Sequence, residues 1–219
     1  MCEVGGVPDS LKFTAIMIYL DDLISQPNFN QALEASLPKF TYEFALPKID
    51  QLGMAVADVE AAARILEDQG VPPFFIVSGS PASWIERGEA GSYQGKMGVS
   101  HYQGLELELL EPGQGSTVFL DSLDPKGRIV VHHLAYRVAD VQPWVQRFAA
   151  AGYSIWIQGT NQIGPARSQF TYMDTRREMG LAIEFFSRTC WGLNWWPLSR
   201  LYRIMARIQK MTGKRGFSV

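Results

Sequence analysis

One segment of this 219-residue chain occurs twice, and the duplication restricts the fold more than any other feature. Residues 49–59 read IDQLGMAVADV and residues 131–141 read VHHLAYRVADV, so both copies end in the same ADV triplet. A second pair follows, LELELLEP at 105–112 and LAIEFFSR at 181–188, and each places a glutamate inside an apolar strand pattern. Two copies of one unit predict two similar halves with a site between them.

Each copy has the pattern of a strand, a helix and three further strands. Strands are predicted at 49–56 and 131–138, and helices follow at about 58–69 and 140–151. Asp58 and Asp140 are suited to cap the two helices, and Gly70 and Gly152 are suited to end them. The remaining strands are predicted at 73–78, 97–103 and 105–111 in the first half, and at 153–158, 168–173 and 181–186 in the second.

The predicted fold class is therefore α+β: two tandem βαβββ modules that form a cupped mixed sheet around a central cleft, with helical extensions at both ends. The expected organisation is an N-terminal extension at 1–47, a tandem domain at 48–188 with modules 48–112 and 130–188, and a basic amphipathic helix within 189–219. A doubly wound sheet is disfavoured because helices do not alternate with every strand. Shorter helices are expected up to about Ile24 and at 116–122.

Composition narrows the compartment and the partners. The formal net charge of −2 gives no general attraction to nucleic acid. Cys2 and Cys190 do not make a disulfide framework. The start lacks the basic region and cleavage site of a signal peptide, and the apolar run at 13–20 is too short to span a bilayer. A cytoplasmic protein is therefore expected.

Side chains alternate along the four duplicated strands, which puts apolar residues on one face and small or polar residues on the other. The second face carries Gln51, Glu108, His133 and Glu184. Gln51 is equivalent to His133 in the repeat, and Glu108 to Glu184. One imidazole, two carboxylates and one amide oxygen are suitable ligands for Zn, Co, Ni, Mn or Fe(II). A single such residue is more often solvated or structural, but four at repeat-equivalent positions predict a divalent metal site.

The strands IDQLGMAV, LELELLEP, VHHLAYRV and LAIEFF resemble those of the vicinal oxygen chelate superfamily. This superfamily includes glyoxalase I, methylmalonyl-CoA epimerase, extradiol dioxygenases and bleomycin-resistance proteins. The resemblance covers about 48–188 and is nearest to the epimerase and glyoxalase I branches. It implies Gln51, Glu108, His133 and Glu184 as the metal ligands, an order that resembles some glyoxalase I enzymes.

Departures from the family pattern help to choose among reactions. Gln51 replaces the first His of the dioxygenase site, and Ala55 and Pro112 replace the residues that hold glutathione in glyoxalase I. The resemblance therefore favours a metal-dependent isomerase, epimerase or lyase that removes a proton next to a carbonyl. Glu184 is the first candidate for the base, with Glu108 as its partner on the other side of the cleft. The substrate is expected to be a small carbonyl compound such as an acyl-CoA.

The alternative is a metal-free protein of the bleomycin-resistance type, which would hold an aromatic or cationic ligand in the same cleft. Weaker candidates for the site exist in either case. Glu86 and Glu89 are alternative bases, His101 is near enough in the pattern to reach the cleft, and His132 is expected to point away from His133. The aromatic candidates for the wall of the cleft are Trp84, Trp156, Phe170 and Tyr172.

The C-terminal region has a different charge from the rest. No acidic residue follows Glu184, and seven basic residues in this region leave about −9 on the remainder, given the net charge of −2. A helix is predicted from Pro197 to about Thr212, with Gly213 as its end. Its apolar and basic stripes, preceded by tryptophans, leave four options open: weak membrane association, packing on its own domain, a homodimer contact, or disorder. Packing is the commoner outcome for such a helix.

Overall fold

The structure is a computed structural model that describes residues 17–37, 44–194, 199–213 and 217–218. Its helices are α1 (Leu20–Ile24), α2 (Phe29–Ser36), α3 (Val59–Asp68), α4 (Gln142–Ala150), α5 (Arg176–Met179) and α6 (Ser199–Thr212). Its strands are β1 (Gln51–Ala55), β2 (Phe75–Gly79), β3 (Ser83–Glu86), β4 (Glu89–Ala90), β5 (Tyr93–Tyr102), β6 (Leu105–Leu110), β7 (Gln114–Gly115), β8 (Val130–Arg137), β9 (Ile155–Ile163), β10 (Ala166–Met173), β11 (Ala182–Cys190), β12 (Leu193–Asn194) and β13 (Phe217–Ser218). These elements confirm the α+β class.

A curled mixed sheet runs in the order β13-β2-β5-β6-β1-β8-β11-β10-β9-β3-β4. The duplicated strands β1 and β8 are antiparallel neighbours at its centre. β1 is parallel to β6, and β8 is parallel to β11, so the order of strands away from the centre is the same on both sides. The four strands that carry the predicted ligands are therefore adjacent.

The hairpin of β3 and β4 was not predicted, and it closes the curl of the sheet. β3 follows β2 after only three residues, yet it pairs with β9 from the other half. Ser83 Oγ and Thr160 Oγ1 add a hydrogen bond of 2.9 Å across this pair. A connection of three residues spans at most about 14 Å. The two outer parts of the sheet therefore lie close together, and the sheet forms an incomplete barrel.

The core lies between the convex face of the sheet and the helices. All twelve residues assigned from the sequence to the apolar strand face are buried in one cluster: Leu52, Met54, Val56, Leu105, Leu107, Leu109, Leu134, Tyr136, Val138, Leu181, Ile183 and Phe185. In α3 the Asp58 side chain accepts from the Ala61 amide at 2.9 Å, as expected for an N-cap. Gly70 follows this helix with a φ of +94°, which favours glycine.

Other expectations differ from the structure. The segment predicted as a helix at 116–122 instead forms turns over 118–122. In this segment hydroxyl groups bond locally, as Ser122 Oγ does to the Val118 carbonyl at 2.7 Å, and such bonds compete with helical ones. The predicted helix up to Ile24 begins only at Leu20: residues 17–19 are not helical, and Tyr19 forms a β-bridge with Val130 instead. α2 was not predicted; Asn28 caps it, and Phe29 is buried beneath it.

Candidate metal centre

Three of the predicted ligands meet on the concave face of the sheet. Glu108 on β6, His133 on β8 and Glu184 on β11 offer ligand atoms that all lie within 4.8 Å of one another. His133 Nε2 is 3.1 Å from Glu184 Oε2 and 3.4 Å from Glu108 Oε2. Two ligands at about 2.1 Å from one ion are separated by about 3.0–3.4 Å in octahedral or tetrahedral geometry. We call these three residues the trio, and its spacing fits one divalent ion.

Two polar atoms of the trio lack hydrogen-bond partners among the described residues. His133 Nε2 and Glu184 Oε2 are buried, and neither makes a hydrogen bond within the described residues. Their separation of 3.1 Å is short enough for a hydrogen bond, but the two groups are not aligned as one. A buried polar atom without a partner is costly. An ion bound to both atoms would remove that cost, so the donor set fits a divalent metal.

Gly53 makes room for the imidazole of the trio. It lies opposite His133 in the pairing of β1 with β8. A Cβ on Gly53 would overlap the His133 ring, which is fully buried. A glycine at this point of β1 therefore lets the ring lie flat against the neighbouring backbone.

The prediction that His132 points away from His133 is wrong, because β8 contains a β-bulge at this residue. The register between β1 and β8 shifts between Gly53 and Met54, so that His132 is the extra residue of β8. Its side chain does not point away from His133: the two Nδ1 atoms are 3.0 Å apart. Burial, with the charges of His133 and Arg176, lowers the pKa of His132 well below its usual value. A neutral His132 can accept from the His133 Nδ1–H, which leaves the His133 Nε2 lone pair for a metal.

A second polar cluster lies next to the trio. Glu106 Oε1 accepts from Gln51 Nε2 at 2.7 Å and from Arg188 Nη2 at 3.1 Å. Glu106 Oε2 is 3.4 Å from His101 Nε2. We call Gln51, His101, Glu106 and Arg188 the ion-pair cluster. His101 therefore contacts this cluster, while its ring stacks on Tyr202 of α6 at 5.7 Å.

Gln51 is oriented by this cluster. It is buried and lines the same cavity as Glu108 and Glu184. An ionised Glu106 can only accept hydrogen bonds, so the nitrogen of the Gln51 amide faces Glu106. The carbonyl oxygen of Gln51 is then the end left for a ligand. Sequence analysis assigned no role to Glu106 or Arg188, although Glu106 lies on the ligand face.

The two glutamates of β6 have opposite electrostatics. Burial would raise the pKa of Glu106, but the charge of Arg188 and the bonds to His101 and Arg188 lower it to about 2. Burial raises the pKa of Glu108, which His133 only partly offsets. Burial would lower the pKa of His133, but the adjacent carboxylates Glu108 and Glu184 raise it to about 9. Without a metal, the trio therefore holds a proton near neutral pH.

A cavity of about 570 Å³ opens above the trio. Its polar floor includes Gln51, Glu108 and Glu184, and Arg188 adds a cation. Most of its wall is apolar or aromatic: Phe75, Val77, Trp84, Met97, Val99, Leu110, Phe119, Phe170, Phe186, Leu201 and Met205. The size and the polarity are those of a small-molecule site.

The weaker sequence candidates divide into two groups. Trp84, Phe170 and Tyr172 line the cavity. The ring of Tyr172 also packs edge-on against His133 at 4.9 Å, and burial, with the charges of Glu184 and Glu108, raises the pKa of its hydroxyl well above the usual value. The second group, Trp156, Glu86 and Glu89, does not line the cavity. Trp156 packs against His132 instead, at 5.3 Å, and Glu86 accepts from Ser116 Oγ at 2.7 Å. Glu89 is exposed on β4.

Comparisons with known proteins agree with this fold. Residues 50–172, more than half of the chain, match the profile of the Glyoxalase/Bleomycin resistance protein/Dioxygenase superfamily. The chain therefore belongs to this superfamily, as its marker strands predicted. Family membership and the trio together support a metal-dependent enzyme of the vicinal oxygen chelate type.

Similar solved structures include a methylmalonyl-CoA epimerase from Mycobacterium tuberculosis, at 20% identity and a TM-score of 0.44, over 63% of this chain and 85% of the epimerase. A methylmalonyl-CoA epimerase in complex with methylmalonyl-CoA and NH4+ has 20% identity and a TM-score of 0.45, over 64% and 94%. A mutant of 4-hydroxymandelate synthase from Streptomyces coelicolor has 13% identity and a TM-score of 0.46, over 76% and 56%. No curated protein matches the chain. Likenesses this distant do not indicate a reaction.

Proposed function

We propose that this protein is a metal-dependent isomerase, epimerase or lyase that removes a proton next to a carbonyl group. The observation that carries the proposal is the meeting of two carboxylates and one imidazole within 4.8 Å, on the floor of an apolar cavity. A divalent ion prefers nitrogen and oxygen ligands of this kind. The buried His133 Nε2 and Glu184 Oε2 have no hydrogen-bond partner among the described residues and are available to it.

The proposed ligands are Glu108, His133, Glu184 and the amide oxygen of Gln51. A divalent ion bound to them would polarise a substrate carbonyl and stabilise the negative charge that develops on its oxygen. His133 is kept in the correct tautomer by His132, and Gln51 in the correct orientation by Glu106. These supporting contacts hold the donor atoms in place before substrate binds.

Glu184 is the proposed base. It lines the cavity, and its Oε2 lies 3.1 Å from His133 Nε2. Glu108 lies on the other side of the central strands, and burial raises its pKa, so it is suited to carry a proton near neutral pH. An epimerase needs one group to take a proton from one face of the substrate and another to return a proton to the opposite face. Glu184 and Glu108 are the proposed pair.

The proposed substrate is a carbonyl compound with an apolar body, because most of the cavity wall is apolar. An acyl-CoA thioester is one such compound, and the family resemblance is the reason for proposing it. A cytoplasmic location and a homodimer remain predictions from the sequence.

The site geometry favours this function over metal-free binding. A binding cleft gains nothing from a buried imidazole between two carboxylates, and such a group is costly without an ion. The unpartnered atoms of His133 and Glu184 are therefore difficult to explain in a simple binding protein.

Two measurements test the proposal. Protein purified without chelator should contain about one equivalent of a divalent metal, and the metal-free protein should gain thermal stability when Co(II), Ni(II) or Zn(II) is added. The holoenzyme should then exchange deuterium from solvent into the α-position of a carbonyl substrate, with thioesters and ketones of increasing apolar length as the panel.

The base is tested by Glu184→Gln, which keeps an oxygen ligand but removes the proton acceptor. We expect it to retain metal and to lose at least about 100-fold in exchange rate. Glu89→Gln is the matched control, because Glu89 is an exposed carboxylate outside the cavity. An unchanged exchange rate in Glu184→Gln would exclude this residue as the base. Absence of metal binding in the wild-type protein would exclude the whole mechanism.

A further inference from the structure

Exposed apolar side chains are concentrated in one region of this protein. Ten large apolar residues are exposed in the described part of the chain, and three of them, Met17, Ile65 and Leu120, lie elsewhere. The other seven we call the apolar face: Ile163 at the end of β9, Trp191 and Leu193 at the β11–β12 turn, and Leu201, Ile204, Ile208 and Met211 on α6. Clustering of this kind marks an interaction surface.

Contacts in the structure join the two turns to each other and bring Ile163 and Leu201 to one cavity. The Trp191 amide donates to the Pro165 carbonyl at 3.2 Å, so the β9–β10 and β11–β12 turns are adjacent. Ile163 and Leu201 are both exposed and both line the cavity, so they lie at its mouth. The start of α6 and the two turns therefore surround the opening of the candidate site.

The helix α6 is already packed on its inner side. Gln209 is buried, and its side-chain amide makes two hydrogen bonds with the backbone of Ile76, at 2.8 and 2.7 Å. Tyr202 reaches Phe75 and stacks on His101. The outer apolar residues, which follow one another at spacings of three, four and three, are thus not needed for packing on the sheet. These four side chains stay exposed among the described residues, so any partner of the stripe must come from elsewhere.

Charge indicates what that partner is. A basic row runs along α6 beside the apolar stripe: Arg200, Arg203, Arg207 and Lys210. Lys210 is paired with Glu67 at 2.7 Å, while Arg200 and Arg207 are exposed. No acidic residue follows Glu184 in the sequence. A strongly amphipathic helix of low mean hydropathy with a basic row is suited to the interface of an anionic bilayer.

We propose that the apolar face docks on an anionic lipid surface, with α6 parallel to the membrane plane and Trp191 at the level of the headgroups. A second copy of the chain fits less well, because joining two apolar faces would bring two basic rows together. None of the described helices has the length and hydropathy of a membrane-spanning segment.

Docking would also turn the cavity toward the bilayer. Ile163 and Leu201 at the mouth would touch lipid, and an apolar ligand could pass from the bilayer to the aromatic wall without crossing water. The docking proposal does not depend on the metal chemistry, and its test does not require activity.

The test is vesicle flotation with the full chain, at low and high salt. We expect binding to phosphatidylcholine vesicles that contain phosphatidylglycerol, little binding to phosphatidylcholine alone, and a loss of binding as salt is raised. Arg200→Gln and Arg207→Gln should each weaken partitioning about fivefold. Arg64→Gln on α3 is the matched control and should have no effect.

The apolar contribution is tested by the double variant Ile204→Glu/Ile208→Glu, which should weaken partitioning more than about tenfold. Ile65→Glu is its control, because Ile65 is 54% exposed and Ile204 is 55% exposed. Both variants should keep the melting temperature of the wild type, which excludes unfolding as the cause. Quenching by brominated lipid should fall in Trp191→Phe.

Three outcomes would overturn the proposal. The first is equal binding to neutral and anionic vesicles, or no binding at low salt. The second is equal partitioning of the Ile204→Glu/Ile208→Glu variant and the wild type. The third is a dimer in solution that this variant dissociates while lipid binding is absent, which would assign the apolar face to a second copy of the chain.

Discussion

The trio and the ion-pair cluster are neighbours on the same sheet, and they share strand β6, which supplies Glu108 to one and Glu106 to the other. Each contains a buried carboxylate beside an imidazole. They differ in how charge is balanced. Arg188 supplies a fixed cation to Glu106, whereas the trio has two carboxylates and only His133. A cluster with a permanent cation is complete without a ligand, whereas one whose positive charge is a removable proton on His133 is suited to bind a metal in its place.

The largest expected effect is on the free energy of unfolding, when the cation of the ion-pair cluster is removed. Arg188→Met leaves the carboxylate of Glu106 buried without its cation, which should lower the free energy of unfolding by about 3–5 kcal/mol. Glu106→Leu in the same chain should recover most of this loss. Denaturant unfolding of the metal-free proteins measures both variants, and a loss below about 1 kcal/mol for Arg188→Met would contradict the assigned role.

The second prediction compares the two imidazoles. His133→Ala should weaken divalent metal binding more than about 100-fold, because even partners of ligands are worth about 10–100-fold. His101→Ala, which removes the imidazole of the ion-pair cluster, should change metal affinity by much less. Titration calorimetry with Zn(II) or Ni(II) measures both. Equal losses in the two variants would mean that the clusters are not functionally distinct.

The third prediction concerns pH. In the metal-free protein the pKa of His133 is raised to about 9, so the proton on Nε2 must leave before a metal binds. Metal affinity should therefore rise about tenfold per pH unit from neutral pH and level off above about pH 9. The same raised pKa stabilises the metal-free fold below about pH 6.5 and loses this effect as the pH rises through 9. A pH-independent affinity would exclude a proton on His133.

The smallest expected effect is on metal affinity, when the bulge residue His132 is replaced. His132→Phe keeps an aromatic ring but removes the acceptor for His133 Nδ1–H, which should weaken metal binding about tenfold. His132→Gln, which retains an acceptor, should bind metal more tightly than His132→Phe. Melting temperatures of the metal-free variants should be similar, so that an affinity loss reflects the orientation of His133 rather than unfolding.

Much of the fold followed from the sequence, because it depends on periodicity. Alternation along the strands β1, β6, β8 and β11 correctly assigned every apolar residue of the strand face that packs in the core. The duplication also placed Glu108, His133 and Glu184 on a common surface. The roles of Gln51 and the trio as ligands stay predictions, as do the boundaries of the two modules.

Other features depend on contacts that periodicity does not encode. Strict alternation places His132 opposite to His133, and only the bulge against Gly53 brings both rings to the same side. Glu106 and Arg188 are 82 residues apart, and their pairing requires knowledge of which strands are neighbours. The hairpin at 83–90 pairs with β9 in the other half, so local sequence gives no signal of its position.

That hairpin determines which parts of the cavity can move. β2 continues into β3 through three residues, and β3 is held to β9 by a ladder of four residue pairs. The two rims of the sheet are therefore tethered and cannot separate like a hinged clamp. The opposite wall is one helix, α6, whose Leu201 and Met205 face the cavity and which rests on the edge of β2. Any widening of the cavity for a bulky ligand must come from displacement of this helix, while the strands that carry the trio stay in register.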